Sequence, residues 1–115
     1  MCGITGFFKL NEMDVSVAES ILKPMNDSLL HRGPDASSIF SDLDSNLLMG
    51  HRRLSILDTS SGGLQPMHSH SENLVIAFNG EIYNHNELRC ELEKQDDTIR
   101  WNSSSDTETL LEAFE

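Results

Sequence analysis

The chain starts Met1-Cys2-Gly3, which puts a cysteine where it can do covalent chemistry. Removing one initiator methionine, which the small Cys2 side chain permits, leaves a thiol and a free α-amine on the same residue. A thiol needs a base to become a good nucleophile. An N-terminal amine, with a reference pKa of about 7.7–8.0, is partly neutral near pH 7 and can take that proton directly or through a water. A buried small hydrophobe or a lipidated cysteine would start the chain in the same way. The choice between these readings depends on the other residues.

Two further sets could serve such a nucleophile. Asn79-Gly80 ends an apolar run, where it is a strong signal for a type I′ hairpin turn. A hairpin needs a returning strand, however, and only Glu81-Ile82-Tyr83 precedes the next helix start. The alternative is an oxyanion hole: an Asn side-chain amide and a Gly backbone N–H can both point at one oxygen as negative charge develops, and glycine permits close approach. Arg53 and Asp106 form the second set. Each alone reads as a solvated charge or a helix-dipole partner. Together they could hold an amino acid, with guanidinium on the α-carboxylate and aspartate on the α-ammonium, leaving the substrate side chain free to reach a nucleophile. Ser61-Gly62-Gly63-Leu64 echoes the opening of an ATP-pyrophosphatase loop, but Gln65-Pro66 follows and the rest of that motif is missing. With no glycine-rich phosphate loop elsewhere, ATP binding has no support in this chain, and no cofactor is expected.

The elements that must position these residues follow from periodicity and turn chemistry. Residues 4–10 read as a buried strand, which would hold the N-terminus in a sheet. Ser16 and Glu19 form a capping box, and Val17, Ile21, Met25 and Leu29 recur every four residues, so a helix is expected over residues 17–31, kinked or restarted at Pro24. After Gly33-Pro34, apolar runs at 39–40, 47–49 and 54–57, separated by Asp44-Ser45-Asn46, read as a strand meander. Residues 73–78 read as another strand. Asn84 with Glu87 signals a helix over 85–94, residues 98–101 a strand, and Ser105 with Glu108 a last helix carrying Leu110, Leu111 and Phe114.

Composition bounds the functions available. At 115 residues, 37% hydrophobic and 23% charged, the chain has ordinary globular usage and room for one small domain. Nineteen acidic against 8 basic residues give a net charge of −11 with no basic cluster, which argues against nucleic acid and anionic membrane as partners. Cys2 and Cys90 have no CxxC spacing and no secretory context, so a reduced, cytoplasmic protein is expected. The longest clean apolar run, residues 74–78, is far below the roughly 20 residues of a membrane helix. None of the five histidines pairs at a zinc-binding i, i+4 spacing, and no metal site is expected.

Taken in order, Met1-Cys2-Gly3-Ile4, His31-Arg32-Gly33-Pro34-Asp35, residues 51–58 (HRRLSILD), Gln65-Pro66-Met67, Asn79-Gly80-Glu81-Ile82-Tyr83-Asn84 and Ser105-Asp106-Thr107-Glu108 resemble the class II glutamine amidotransferase domain. The form found in glutamine-hydrolysing asparagine synthetases is the nearest in pattern. The resemblance implies an α+β fold of the N-terminal-nucleophile hydrolase type, an αββα sandwich with antiparallel sheets, acting on glutamine. Position by position, Cys2 matches the nucleophile and its amine the base, while Asn79 and Gly80 match the oxyanion hole. Arg53 matches the grip on the glutamine α-carboxylate, and Glu81 and Asp106 match acids near the α-amino group. Ile56 and Leu57 match the pocket lining, and His31 and Arg32 a supporting block beside the nucleophile.

Two departures touch local geometry: Ser38 stands where the family usually has glycine, and Pro24 interrupts the preceding helix. Family members continue beyond this length, so the chain is expected to be the N-terminal part of the domain. The synthetase domain, with its ATP and Mg, is then expected elsewhere as a partner in the intact protein, and a homodimer is left open. The residues also leave open an amidotransferase of surface-sugar or secondary-metabolite synthesis, and a non-catalytic binding fragment.

Overall fold

The computed structural model describes residues 1–9, 11, 14–55 and 61–115. Leu10, Ile56 and Leu57 therefore lie outside the described residues. The chain forms two compact units, Met1–Ser55 and Ile56–Glu115, and the described strands pair antiparallel throughout. The α+β class expected from the sequence holds.

The first unit comprises β1 (Gly3–Phe8), α1 (Val15–Asp27), β2 (Ala36–Asp42) and β3 (Leu47–Arg53). Its sheet has the order β1-β3-β2. β2 and β3 form a hairpin whose turn uses the anticipated Asp44-Ser45-Asn46, with Asn46 at φ 53°, a left-handed conformation that asparagine tolerates. β1 joins the free edge of β3, from Gly3 opposite Arg52 to Phe8 opposite Leu47. Alternation along a strand sends successive side chains to opposite faces. Leu48 thus packs with Phe7 against Ala18 and Leu22 of α1, and these residues form the core of the unit. Arg53 falls on the other face, as does Cys2 when the β1 register is continued by one residue.

α1 differs from its expected bounds at both ends. Its N-cap is Asp14, whose Oδ1 accepts the Ser16 N–H at 2.8 Å, so the helix starts at Val15 and the Ser16/Glu19 box is not the cap. A carboxylate at that position competes successfully because it meets the exposed donors of the first turn and the positive end of the helix dipole together. The helix runs unbroken through Pro24 and ends at Asp27, where residues 28–32 continue as turns. The run at 54–57 forms no strand over its described part, residues 54 and 55.

The second unit comprises β4 (Met67–His68), β5 (Val75–Ile76), α2 (His85–Gln95) and α3 (Asp106–Ala113), with a short 3₁₀ turn at Ser61–Gly63. The strand expected over 73–78 shrinks to two residues, because pairing is confined to Met67 with Ile76 and His68 with Val75. α2 starts where expected, but Asn84 caps it through no side-chain bond. The strand expected at 98–101 does not form. Asp96 Oδ1 accepts both the backbone and the hydroxyl of Thr98 in a turn, and the Trp101 ring lies under the Arg89 guanidinium, 4.2 Å from its carbon. Ser105 caps α3 by accepting the Thr107 N–H at 3.2 Å. Glu108 does not complete the capping box; its carboxylate accepts instead from the backbones of Asn102 (2.7 Å) and Ser103 (2.9 Å). On α3 Leu111 is buried while Phe114 is 76% exposed. Among the described residues no helix is long and apolar enough to cross a membrane.

Candidate active site

In the first unit the site is built around the start of β1. Cys2 is free and half-buried. Its Sγ receives the Leu54 N–H at 3.4 Å and lies 3.7 Å from the Leu54 carbonyl, so one backbone donor and one acceptor fix the side chain at the end of β3. The Cys2 carbonyl in turn accepts from Arg32 Nε at 3.2 Å. The His31–Asp35 block explains itself here. A Cβ on Gly33 would collide with the Arg52 backbone and come within 2.7 Å of Arg53 N, so only glycine lets the turn lie against β3. Asp35 N–H donates to the Arg53 carbonyl at 3.0 Å, and Asp35 Oδ2 accepts the Ser55 N–H at 2.7 Å. The turn thereby clamps β3 on both sides of Leu54, the residue that holds the sulfur.

The two adjacent arginines have separate jobs because they lie on opposite faces. Arg52 points to α1, where Nε donates to the Asn26 carbonyl at 3.1 Å and Nη2 pairs with Asp27. Arg53 is 8% exposed on the face it shares with Cys2. Arg32 reaches Cys2 through its backbone carbonyl. His31 is exposed and bonds through Nδ1 to the Ser28 carbonyl at 3.1 Å, which requires Nδ1 to carry the proton and makes the ring part of the turn.

In the second unit Asn79, Gly80 and Glu81 are exposed and follow β5 without a returning strand. Gly80 has no positive φ, so the type I′ hairpin reading is excluded. A Cβ at Gly80 would come within 2.7 Å of Phe78 Cε2, so a larger residue there would have to displace the Phe78 ring. Asp106, 7% exposed, accepts the Ile82 N–H on Oδ2 at 2.8 Å, which ties the Asn79–Glu81 stretch to the first turn of α3. One oxygen of the anticipated ammonium-binding acid thus has a structural partner.

The structure brings Cys2, Arg32 and Arg53 together in the first unit, and Asn79, Gly80, Glu81 and Asp106 in the second. Ile56 and Leu57 lie outside the described residues. Sequence reasoning assigned no role to three supports: Asp35 and Gln65, which stand in the matched blocks, and Arg89. Arg89 donates to the carbonyls of Ser103 (2.8 Å) and Ser105 (3.0 Å) and to Thr109 Oγ1 (2.8 Å), fixing the loop that leads into Asp106. Its side chain is partly buried, and a guanidinium withdrawn from water must find acceptors.

Comparison with known proteins covers the whole chain. Residues 1–115 match the family model described as a glutamine amidotransferase domain. Asparagine synthetase [glutamine-hydrolyzing] 1 of Bacillus subtilis is 44% identical over 115 residues, which are 99% of this chain and 17% of that protein. Asparagine synthetase B [glutamine-hydrolyzing] of Escherichia coli is 36% identical over 115 residues, covering 100% of this chain and 20% of that protein. Asparagine synthetase [glutamine-hydrolyzing] 3 of Bacillus subtilis is also 36% identical, over 99% of this chain and 18% of its own length. The chain spans about a fifth of the length of these curated relatives.

Proposed function

Because the chain belongs to the glutamine amidotransferase domain family, we propose that it hydrolyses glutamine to glutamate and ammonia through a γ-glutamyl thioester on Cys2. The observation that carries this reading is the setting of Cys2. Arg32 and Leu54 hold it beside a strand end, on the face that also carries Arg53. A structural cysteine needs neither a clamp of this kind nor a neighbouring buried guanidinium.

The proposed chemistry proceeds in two halves. With Met1 removed, the Cys2 amine takes the thiol proton and the sulfur attacks the side-chain amide carbon of glutamine. Asn79 and the Gly80 N–H stabilise the oxyanion, and ammonia leaves with the proton returned by the amine. Water then attacks the thioester, the carbon–sulfur bond breaks, and glutamate leaves with the thiol regenerated. Arg53 holds the α-carboxylate and Asp106, with Glu81, the α-ammonium. The second Asp106 oxygen is the one assigned to substrate, since Oδ2 serves Ile82.

The same reading places the α+β units in an αββα N-terminal-nucleophile hydrolase, in a cytoplasmic protein. The names of the relatives support asparagine biosynthesis as its setting, with ammonia passing to a synthetase domain that uses ATP and Mg. The test compares the chain with Cys2→Ala in a glutamate-release assay with a glutamine-analogue electrophile as label. Release and labelling should both vanish in Cys2→Ala. Retained release would overturn the thioester route, and a parent chain that binds glutamine without release would leave a binding module.

A further inference from the structure

We infer that Gln65 is the positioning residue of the Asn79-Gly80 segment. Gln65 is 7% exposed, and both ends of its side-chain amide are used. Oε1 accepts the Phe78 N–H at 2.5 Å, and Nε2 donates to Thr107 Oγ1 at 3.1 Å. Thr107 is 3% exposed and follows Asp106 in the first turn of α3. Asp106 itself takes the Ile82 N–H. The stretch between Phe78 and Ile82 is therefore fastened at both ends to the same turn, once through Gln65 and once directly.

Nothing in regular secondary structure holds this stretch otherwise. β5 ends at Ile76, residues 77–82 belong to no helix or strand, and Asn79 and Gly80 are exposed. Oxyanion donors act only if they stay aimed at the developing charge, and a displacement of about 1 Å can cost about 100-fold in rate. The Phe78 ring also abuts the space a Gly80 Cβ would occupy, so fixing the Phe78 backbone fixes what lies against Gly80. Glutamine suits the position because its amide presents an acceptor for Phe78 and a donor for the Thr107 hydroxyl at once.

The inference rests on the proposed hydrolysis for its kinetic consequence, and on hydrogen exchange for its structural one. Both are measured on the full chain carrying Gln65→Met, which keeps length and removes both bonds. The expected result is kcat lower by about 10–100-fold, the cost of one buried donor left unpaired, with KM within about threefold. Exchange at the Phe78–Ile82 amides should rise while the α1 amides keep their protection. Gln65→Glu, whose carboxylate can accept from both Phe78 N–H and the Thr107 hydroxyl, should restore most of kcat. Unchanged exchange at Phe78–Ile82, or a loss confined to KM, would overturn the inference. A parent chain that hydrolyses no glutamine overturns the proposed function instead, and exchange alone then decides whether Gln65 holds the segment. If Gln65→Met does not fold, Thr107→Val removes only the second bond and should give the same pattern at smaller amplitude; an unchanged pattern there would equally overturn it.

Discussion

In residues 1–55 an apolar cluster lies at the centre: Ala18, Leu22 and Leu48 are fully buried and meet between α1 and β3, with Phe7 packed beside them, while Asn26, His51 and Arg53 are buried around it. Among the described residues of 56–115 the buried set is mostly polar. Leu111 and Met67 are there, but so are Gln65, Ser69, Ser105, Asp106, Thr107, Glu108 and Thr109, while α2 buries no residue at all. The first unit is held by area removed from water and a regular ladder, the second by side chains that bond to particular backbone groups. The difference matches the parts each plays in the proposed chemistry. A nucleophile needs one fixed anchor at a strand end, whereas an oxyanion hole needs irregular backbone with its N–H groups unspent in a sheet, and such backbone must be tied down by side chains.

The largest effects expected separate these parts by kinetics. Asn79→Ala should lower kcat by about 10²–10³-fold, the usual loss for one oxyanion donor. Arg53→Ala should act mainly by raising KM, because its bond to the α-carboxylate exists in ground and transition states alike. Steady-state measurements on both variants check this, and equal changes in both parameters would erase the division of roles.

Stability should separate them next. Leu48→Ala should cost about 2–5 kcal/mol through a cavity in the apolar core. Glu108→Ala should cost about 1–3 kcal/mol by a different route, leaving the N–H groups of Asn102 and Ser103 without their acceptor while Arg89 keeps its bonds to Ser103, Ser105 and Thr109. Denaturant unfolding followed by amide exchange distinguishes them. The first change should loosen α1 and β3, and the second the loop at 102–105.

This contrast also explains what was legible in the sequence. The strands of the first unit could be read from short apolar runs set off by turn residues, although the run at 54–57 forms none over its described part. The helix expected over 17–31 runs from Val15 to Asp27: Asp14 and Ser16 are both good caps that pattern does not rank, and the four-residue recurrence through Leu29 extends into residues 28–32, which form turns. In the second unit period reading failed at 98–101, where Trp101 packs on Arg89 and not in a ladder. The anticipated site residues Cys2, Arg53, Asn79, Gly80 and Asp106 rested on residue type and order. Their supports, Gln65, Asp35 and Arg89, act through contacts between distant positions that no local pattern records.

The smallest expected effect concerns pH. Burial raises the Glu112 carboxyl above its ordinary value of 4.5, against the opposing bond from the His70 N–H at 2.8 Å. A raised carboxyl binds its proton more tightly when folded, so its contribution is present below the ordinary value and is lost as pH rises through the folded one. Asp14 in the first unit is the reverse. Its side-chain and backbone bonds to Ser16 lower it below 3.8, so its contribution is present above that value and fades as pH falls through the lowered one. Relative to the parent, Glu112→Gln should lose its advantage on acidification and Asp14→Asn its disadvantage. Thermal unfolding between about pH 3 and 6 reads both signs.

The central claim is that a free N-terminal Cys2 carries the γ-glutamyl group. Intact-mass measurement of the active chain, before and after a glutamine-analogue electrophile, tests it most directly. The expected result is a mass lacking Met1, a single adduct that maps to Cys2, and loss of glutamate release in step with labelling. A chain that uniformly retains Met1 and still hydrolyses glutamine, or an adduct on Cys90 that accompanies the loss of activity, would contradict it.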